Sequence, residues 1–111
     1  MRAMQEQAQM VLVEDSVREY IVKVVRATRE HDGVELGVSP RGTLALYKTV
    51  QALAAIRGRA FVIPDDVKVM TPYVLTHRLV IDPQTRLRGR TTADVVKDVV
   101  DTVPVPVEGQ Q

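Results

Sequence analysis

The stretch GVSPRGTLALYKTVQALAAIRGRAFVIPDDV, residues 37–67, sets the architecture. Ser39 suits an N-cap, because its hydroxyl can accept from an unpaired N–H of the first turn. Pro40 suits the next position, where its missing N–H would have no partner anyway. From there Leu44, Leu46, Tyr47, Val50, Ala52, Leu53, Ala54 and Ile56 cover most of the circumference, which predicts a helix buried on several sides at the centre of a bundle. Gly58 is a natural left-handed stop, flanked by Arg57 and Arg59 at the carbonyl end that favours cations. Ala60 to Ile63 then reads as a short β-prone run. Pro64 opens another helix, with Asp65 and Asp66 in the first turn, where the dipole favours carboxylates.

Upstream, Val17, Tyr20, Ile21, Val24 and Ala27 recur at helical spacing with Arg18, Glu19, Lys23 and Arg26 between them, predicting an amphipathic helix from about Glu14 to Arg29. A polar turn around His31, Asp32 and Gly33 follows, and Gly33 and Gly37 mark the connection. Downstream, the helix from Pro64 should bury Val67, Met70, Val74 and Leu75 and close at His77 and Arg78. Leu79 to Ile81 is a second β-prone run, expected to pair with Ala60 to Ile63 as a small ribbon. Asp82 to Arg90 reads as a polar loop. Thr91, with Asp94 three residues on, caps a last helix whose apolar stripe is Val95, Val96, Val99, Val100 and Val103, and Pro104 and Pro106 prevent continuation. The expected fold is mainly α, a small bundle of about four helices with a short two-stranded β ribbon and no internal repeat.

A chain of 111 residues fits one domain with a modest core. Because only 4% of residues are aromatic, Val, Ala, Leu and Ile must supply that core, as they do in helical bundles. The formal net charge of +1 gives no broad field for non-specific nucleic-acid binding, so any phosphate recognition must be local. The absence of Cys excludes disulfides, thiolate metal sites and cysteine nucleophiles. No stretch approaches the ~20 apolar residues of a membrane span, and MRAMQEQAQM lacks the apolar core of a signal peptide. The expected location is the cytoplasm, without membrane insertion.

Most chemistry-bearing residues have a structural explanation. His31 and His77 share no zinc-type spacing, so no metal site is expected. Ser39 lies in a cap and not in a nucleophile elbow, while Asp65 and Asp66 satisfy a helix start. There is no G-x-x-x-x-G-K-[ST] loop and no acidic strand end for magnesium, so the chain holds no catalytic residues of its own. Arg41 is the exception. It sits in the first turn of the central helix, where the dipole disfavours a cation by ~0.3–1 kcal/mol. A guanidinium there can present a fork of donors to phosphate oxygens, and the helix start favours the same anion. Exposed arginines also tolerate mildly unfavourable sites, so helix electrostatics alone make Arg41 only a candidate.

The blocks RATREH, GVSPRG, RGRAFVIPDDV and VLTHRL, in this order, closely resemble the C-terminal lid of MoxR AAA+ ATPases, and VREYIVKVVRATREH resembles the preceding lid helix. The likeness covers about Val11 to Val103. In that family the SPR block holds the sensor 2 arginine, and Arg41 falls on it. The resemblance implies that Arg41 contacts the γ-phosphate of ATP bound in a neighbouring α/β core, with Ser39 and Pro40 setting the helix start that aims it. Gly42 stands where alanine is frequent, which implies a first turn looser by up to ~1 kcal/mol. Arg57, Arg59, Asp65, Asp66, His77 and Arg78 match family positions and are assigned structural roles.

The resemblance further implies a division into a linker from an AAA+ core (1–12), the lid (13–103) and a C-terminal tail (104–111). The phosphate loop, the magnesium-binding acid and the arginine finger would lie outside this chain. It is therefore expected to be no enzyme in isolation and to take part in ATP hydrolysis, with ATP and Mg as cofactors, only when joined to its core. The implied partners are that core, identical subunits in a ring, and von Willebrand factor A domain proteins, and the implied role is chaperone-like remodelling. Two alternatives share some features. A histone-fold-like protein or nucleic-acid binding module also has a long helix, R-G-R, an extended run and an aspartate-started helix, although the near-neutral charge argues against DNA. A free-standing adaptor would use the valine-rich last helix to dimerise.

Overall fold

A computed structural model of the chain describes residues 11–106. Its elements are α1 (Asp15–Glu30), β1 (Val34–Leu36), α2 (Pro40–Ile56), α3 (Pro64–Leu75), β2 (Val80–Ile81), α4 (Pro83–Leu87) and α5 (Thr92–Thr102). The fold is mainly α with one two-stranded antiparallel ribbon, as expected. Val17, Tyr20, Ile21, Val24 and Val25 of α1 meet Leu46, Val50 and Ala54 of α2, Val67 and Leu75 of α3, and Val95, Val96 and Val99 of α5 in one core.

Amphipathic spacing places α1 and α5 as read, and the valine stripe of α5 is absorbed within the domain: Val95, Val96 and Val99 are buried in the chain's own core. That leaves the adaptor reading without its dimerisation face. Helix α2 differs from expectation. Gly42, Leu46, Val50 and Ala54 form one fully buried line, whereas Leu44 and Ile56 are 52% and 63% exposed. Its neighbours α1 and α3 cover one side of the cylinder only, so apolar residues around the whole circumference are not all used within this chain. In α3, Val67 and Leu75 are buried as read, while Met70 and Val74 are half-buried and Thr71 is buried instead. Helix α3 stops at Leu75, and His77 and Arg78 lie in the turn beyond it, where the Arg78 N–H donates to the Leu75 carbonyl at 2.9 Å.

The ribbon pairs other partners than expected. Val34 faces Ile81 and Leu36 faces Val80, and the Asp82 N–H donates to the Gly33 carbonyl at 2.9 Å. The run Ala60 to Ile63 is joined instead to Leu12, whose N–H donates to the Ala60 carbonyl and whose carbonyl accepts from Val62 N–H, both at 2.9 Å. The segment between Gly33 and Gly37, read as a connection, holds the strand that pairs with Val80 and Ile81. A second difference is α4, inside the segment read as a polar loop. Asp82 caps it, accepting from the Thr85 N–H at 2.8 Å, with Pro83 in the first position, the same cap-then-proline order as Ser39 and Pro40. Gly58 (φ +76°) and Gly89 (φ +84°) supply left-handed stops after α2 and α4.

Val11 and Val13 are buried, and the Val11 carbonyl accepts from Gln51 Nε2 at 3.0 Å, so part of the stretch read as linker is packed on α2. Its first ten residues lie outside the described ones, as do residues 107–111 of the stretch read as tail, whereas Val105 packs against the core.

One buried ion pair closes the corner between α2 and α3. Asp66 is fully buried, accepts from both Arg59 terminal nitrogens at 2.7 and 2.5 Å, and also accepts from the Ile63 N–H at 3.0 Å. Arg57 stands 3.4 Å away. Burial alone would raise the Asp66 pKa, but the Arg59 hydrogen bonds, the Ile63 N–H and the two guanidinium charges together hold it below the usual carboxylate range. A lowered folded-state pKa contributes stability above the unfolded value, about 4, and loses it as pH falls through the folded value. Asp66→Asn should therefore destabilise the domain by about 3 kcal/mol at neutral pH, with a flatter stability curve below pH ~4 than wild type, read by urea denaturation across pH.

At the other end of α2, a Cβ on Gly37 would stand 2.8 Å from Arg29 Cα and 2.5 Å from its Cγ. Backbone cannot yield as a side-chain tip can, so Gly37→Ala should cost about 1–3 kcal/mol in thermal or urea denaturation.

Candidate functional site

The start of α2 is positioned by the last turn of α1. Thr28 Oγ1 donates to the Val25 carbonyl at 2.6 Å and accepts from the Val38 N–H at 3.3 Å. Arg29 Nε donates to the Val38 carbonyl at 3.1 Å. Both backbone polar groups of Val38 are thus held by neighbouring residues of one helix. Gly37 makes this approach possible, since a side chain there would meet Arg29.

From this fixed point the chain enters α2 through Ser39, in extended backbone (φ −76°, ψ 166°), whose Oγ accepts from the Gly42 N–H at 3.2 Å. The Ser39 carbonyl accepts from Thr43 N–H at 3.0 Å and from its hydroxyl at 3.2 Å. Pro40 occupies the first helical position, as the sequence indicates. Arg41 follows in the second. It is exposed, and among the described residues neither its guanidinium nor its backbone N–H has a hydrogen-bond or ion-pair partner. The first turn of α2 contains no acidic residue.

Gly42 lies buried on the inner side of that turn. A Cβ there would stand 2.6 Å from Val38 Cγ1 and 3.3 Å from Arg78 Cδ, so glycine here serves a close approach and does more than loosen the turn. On the opposite side a shallow cleft of about 270 Å³ between α1 and α2 is lined by Val22, Val25, Arg26, Arg29, Pro40 and Thr43. The start of α2 therefore has Arg26, Arg29 and Arg41 around it and the free N–H of Arg41, a setting that suits an anion.

Asp65, Asp66 and His31 make contacts within the fold. Asp65 lies 3.8 Å from Arg57 at the start of α3, and Asp66 is the buried partner of Arg59. His31 Nδ1 accepts from the Gly33 N–H at 2.9 Å, and its Nε2 lies 3.6 Å from Asp98, which also binds Arg90. His77 is exposed in the turn after α3. Among the described residues no three His, Asp or Glu side chains gather as a metal site, and no helix is long and apolar enough to cross a membrane.

Sequence reasoning missed the Thr28 and Arg29 clamp and the contact of Arg78 with the first turn of α2. RATREH and VLTHRL carried the signal as blocks. Their contacts cross ten residues in one case and some thirty-six in the other, beyond the reach of helical periodicity.

The model of the AAA lid domain family matches residues 26–99. The chain is 42% identical over 105 residues to the protein YeaC of Bacillus subtilis, covering 95% of this chain and 33% of that one. It is 35% identical over 112 residues to Chaperone MoxR1 of Mycobacterium tuberculosis, covering 93% and 30% respectively. It is also similar to the crystal structure of a "putative ATPase" from Cytophaga hutchinsonii, with a TM-score of 0.85 at 22% identity over 92% of this chain and 34% of that one, which is a likeness of fold. The chain spans about a third of the length of the curated relatives YeaC and MoxR1. The long-helix and R-G-R pattern that suggested a histone-like module is thus that of a lid, and the chain belongs to the AAA lid domain family, in the form carried by MoxR-type AAA+ ATPases.

Proposed function

We propose that this lid senses ATP bound to an α/β core of the same polypeptide, through Arg41, and couples its hydrolysis to chaperone-like remodelling of client proteins. The observation that carries the proposal is an exposed arginine without a partner among the described residues, at a capped helix start whose first turn has no carboxylate. In isolation the arrangement puts a cation at the wrong end of a helix. A triphosphate beside it turns the same arrangement into charge-assisted hydrogen bonding.

In this reading residues 1–12 lead from the core, 13–103 form the lid and 104–111 a tail. ATP and Mg bind in the core, which supplies the hydrolytic residues, while Ser39 and Pro40 aim Arg41 from the lid. Turning of the lid about its junction with the core then reports nucleotide state and transmits force in a ring of identical subunits. The remodelling role is drawn from the relative named as a chaperone. A cytoplasmic site of action and von Willebrand factor A domain partners belong to the same reading.

Arg41→Ala in the polypeptide that joins this lid to its core should lower ATP turnover, or its coupling, by about tenfold or more and leave the unfolding temperature of the lid unchanged. Wild-type turnover and coupling in that variant would overturn the assignment. The purified 111-residue chain should neither hydrolyse ATP nor bind it tightly. Robust hydrolysis by that chain, in a malachite green assay for released phosphate, would contradict a site divided between two domains.

A further inference from the structure

Arg78 reaches the start of α2 from a distant part of the chain. Its backbone is anchored on both sides, by the buried side chains of Leu75 and Leu79 and by the hydrogen bond from its N–H to the Leu75 carbonyl. The aliphatic stem then lies over Gly42, with Cδ 3.3 Å and Cβ 3.9 Å from the point a Gly42 Cβ would occupy. The stem is therefore packed on the first turn of α2, while Arg78 as a residue is exposed. Among the described residues its guanidinium has no hydrogen-bond or ion-pair partner.

The first turn of α2 thus carries Arg41 and, one residue on at Gly42, receives the packed stem of Arg78, and that turn contains no carboxylate. Arg29 is engaged elsewhere, its Nε donating to the Val38 carbonyl. Like charges brought together on one surface repel, and the repulsion grows where the dielectric falls. A doubly charged oxyanion reverses the sign of that interaction, and two planar forks can share its oxygens.

We propose that Arg78 is a second phosphate-binding residue, which grips the terminal phosphate of a nucleoside triphosphate together with Arg41. The proposal rests on the reading of Arg41 given above. It assigns Gly42 a purpose: the missing side chain lets the Arg78 stem lie against the helix that carries Arg41, so both charges move as one body with the lid.

The test uses the polypeptide that joins this lid to its core, and measures displacement of a fluorescent ADP by ADP and by a non-hydrolysable ATP analogue. Arg78→Met keeps an unbranched stem over Gly42 and removes the charge. It should weaken binding of the ATP analogue roughly tenfold, leave ADP binding and the unfolding temperature within twofold and a degree or so of wild type, and be partly restored by Arg78→Lys. Wild-type preference for the ATP analogue in Arg78→Met would overturn the proposal, as would an equal loss for both nucleotides. Arg41→Ala separates the two readings. If Arg41→Ala loses the preference and Arg78→Met keeps it, only the second arginine falls. If Arg41→Ala keeps it, the sensing role of Arg41 falls first and this inference with it.

Discussion

The backbone of Val38 is the point on which the candidate site depends. Its N–H and carbonyl are both held from the end of α1, by Thr28 Oγ1 and Arg29 Nε. A buried peptide group must find partners for both its polar atoms, and here side chains supply them because the segment between the ribbon and α2 has no secondary structure of its own. Satisfying Val38 in this way fixes the direction in which Ser39 leaves, hence the axis of α2 and the position of Arg41. A hydrophobic core alone would leave that direction soft, since apolar packing is non-directional.

The other end of α2 is fixed by different chemistry. Arg59 and the fully buried Asp66 form a bidentate pair, and the same carboxylate accepts from the N–H of Ile63, the residue just before α3. One acidic group thus closes the interhelical corner and caps the following helix. A buried charge of this kind is a demand for specificity, because any other arrangement of the corner strands Asp66 without partners. Helix α2 is held between two polar anchors, with the buried line Gly42, Leu46, Val50 and Ala54 joining them.

Local rules made much of this legible. Ser39 followed by Pro40, the spacing of valines in α5 and the Thr91 with Asp94 box each declare themselves within a few residues, and the structure places them as read. The same cap-then-proline rule, applied to Asp82 and Pro83, would have found α4; the density of polar residues around it masked the signal. Strand pairing was harder. Ala60 to Ile63 has the better β composition, yet Val34 to Leu36 takes the place beside β2, since pairing is decided by which segments the helices bring side by side. For the site itself, helix electrostatics raised Arg41 and the family blocks supplied a ligand class. The clamp on Val38 and the stem of Arg78 over Gly42 stayed hidden, because each joins residues that only the folded chain brings together.

The two hydrogen bonds between Leu12 and the Ala60 to Val62 segment give the domain a mechanical polarity. They attach the stretch that precedes α1 to the corner beside Arg59 and Asp66, at the far end of α2 from Arg41. With 17 residues, α2 is a rod of about 25 Å. Tension applied at Leu12 would be borne by these two hydrogen bonds and passed to the base of that rod before it could unwind α1. Helix α2 thus spans the domain from the buried ion pair beside its last turn to Arg41 in its first.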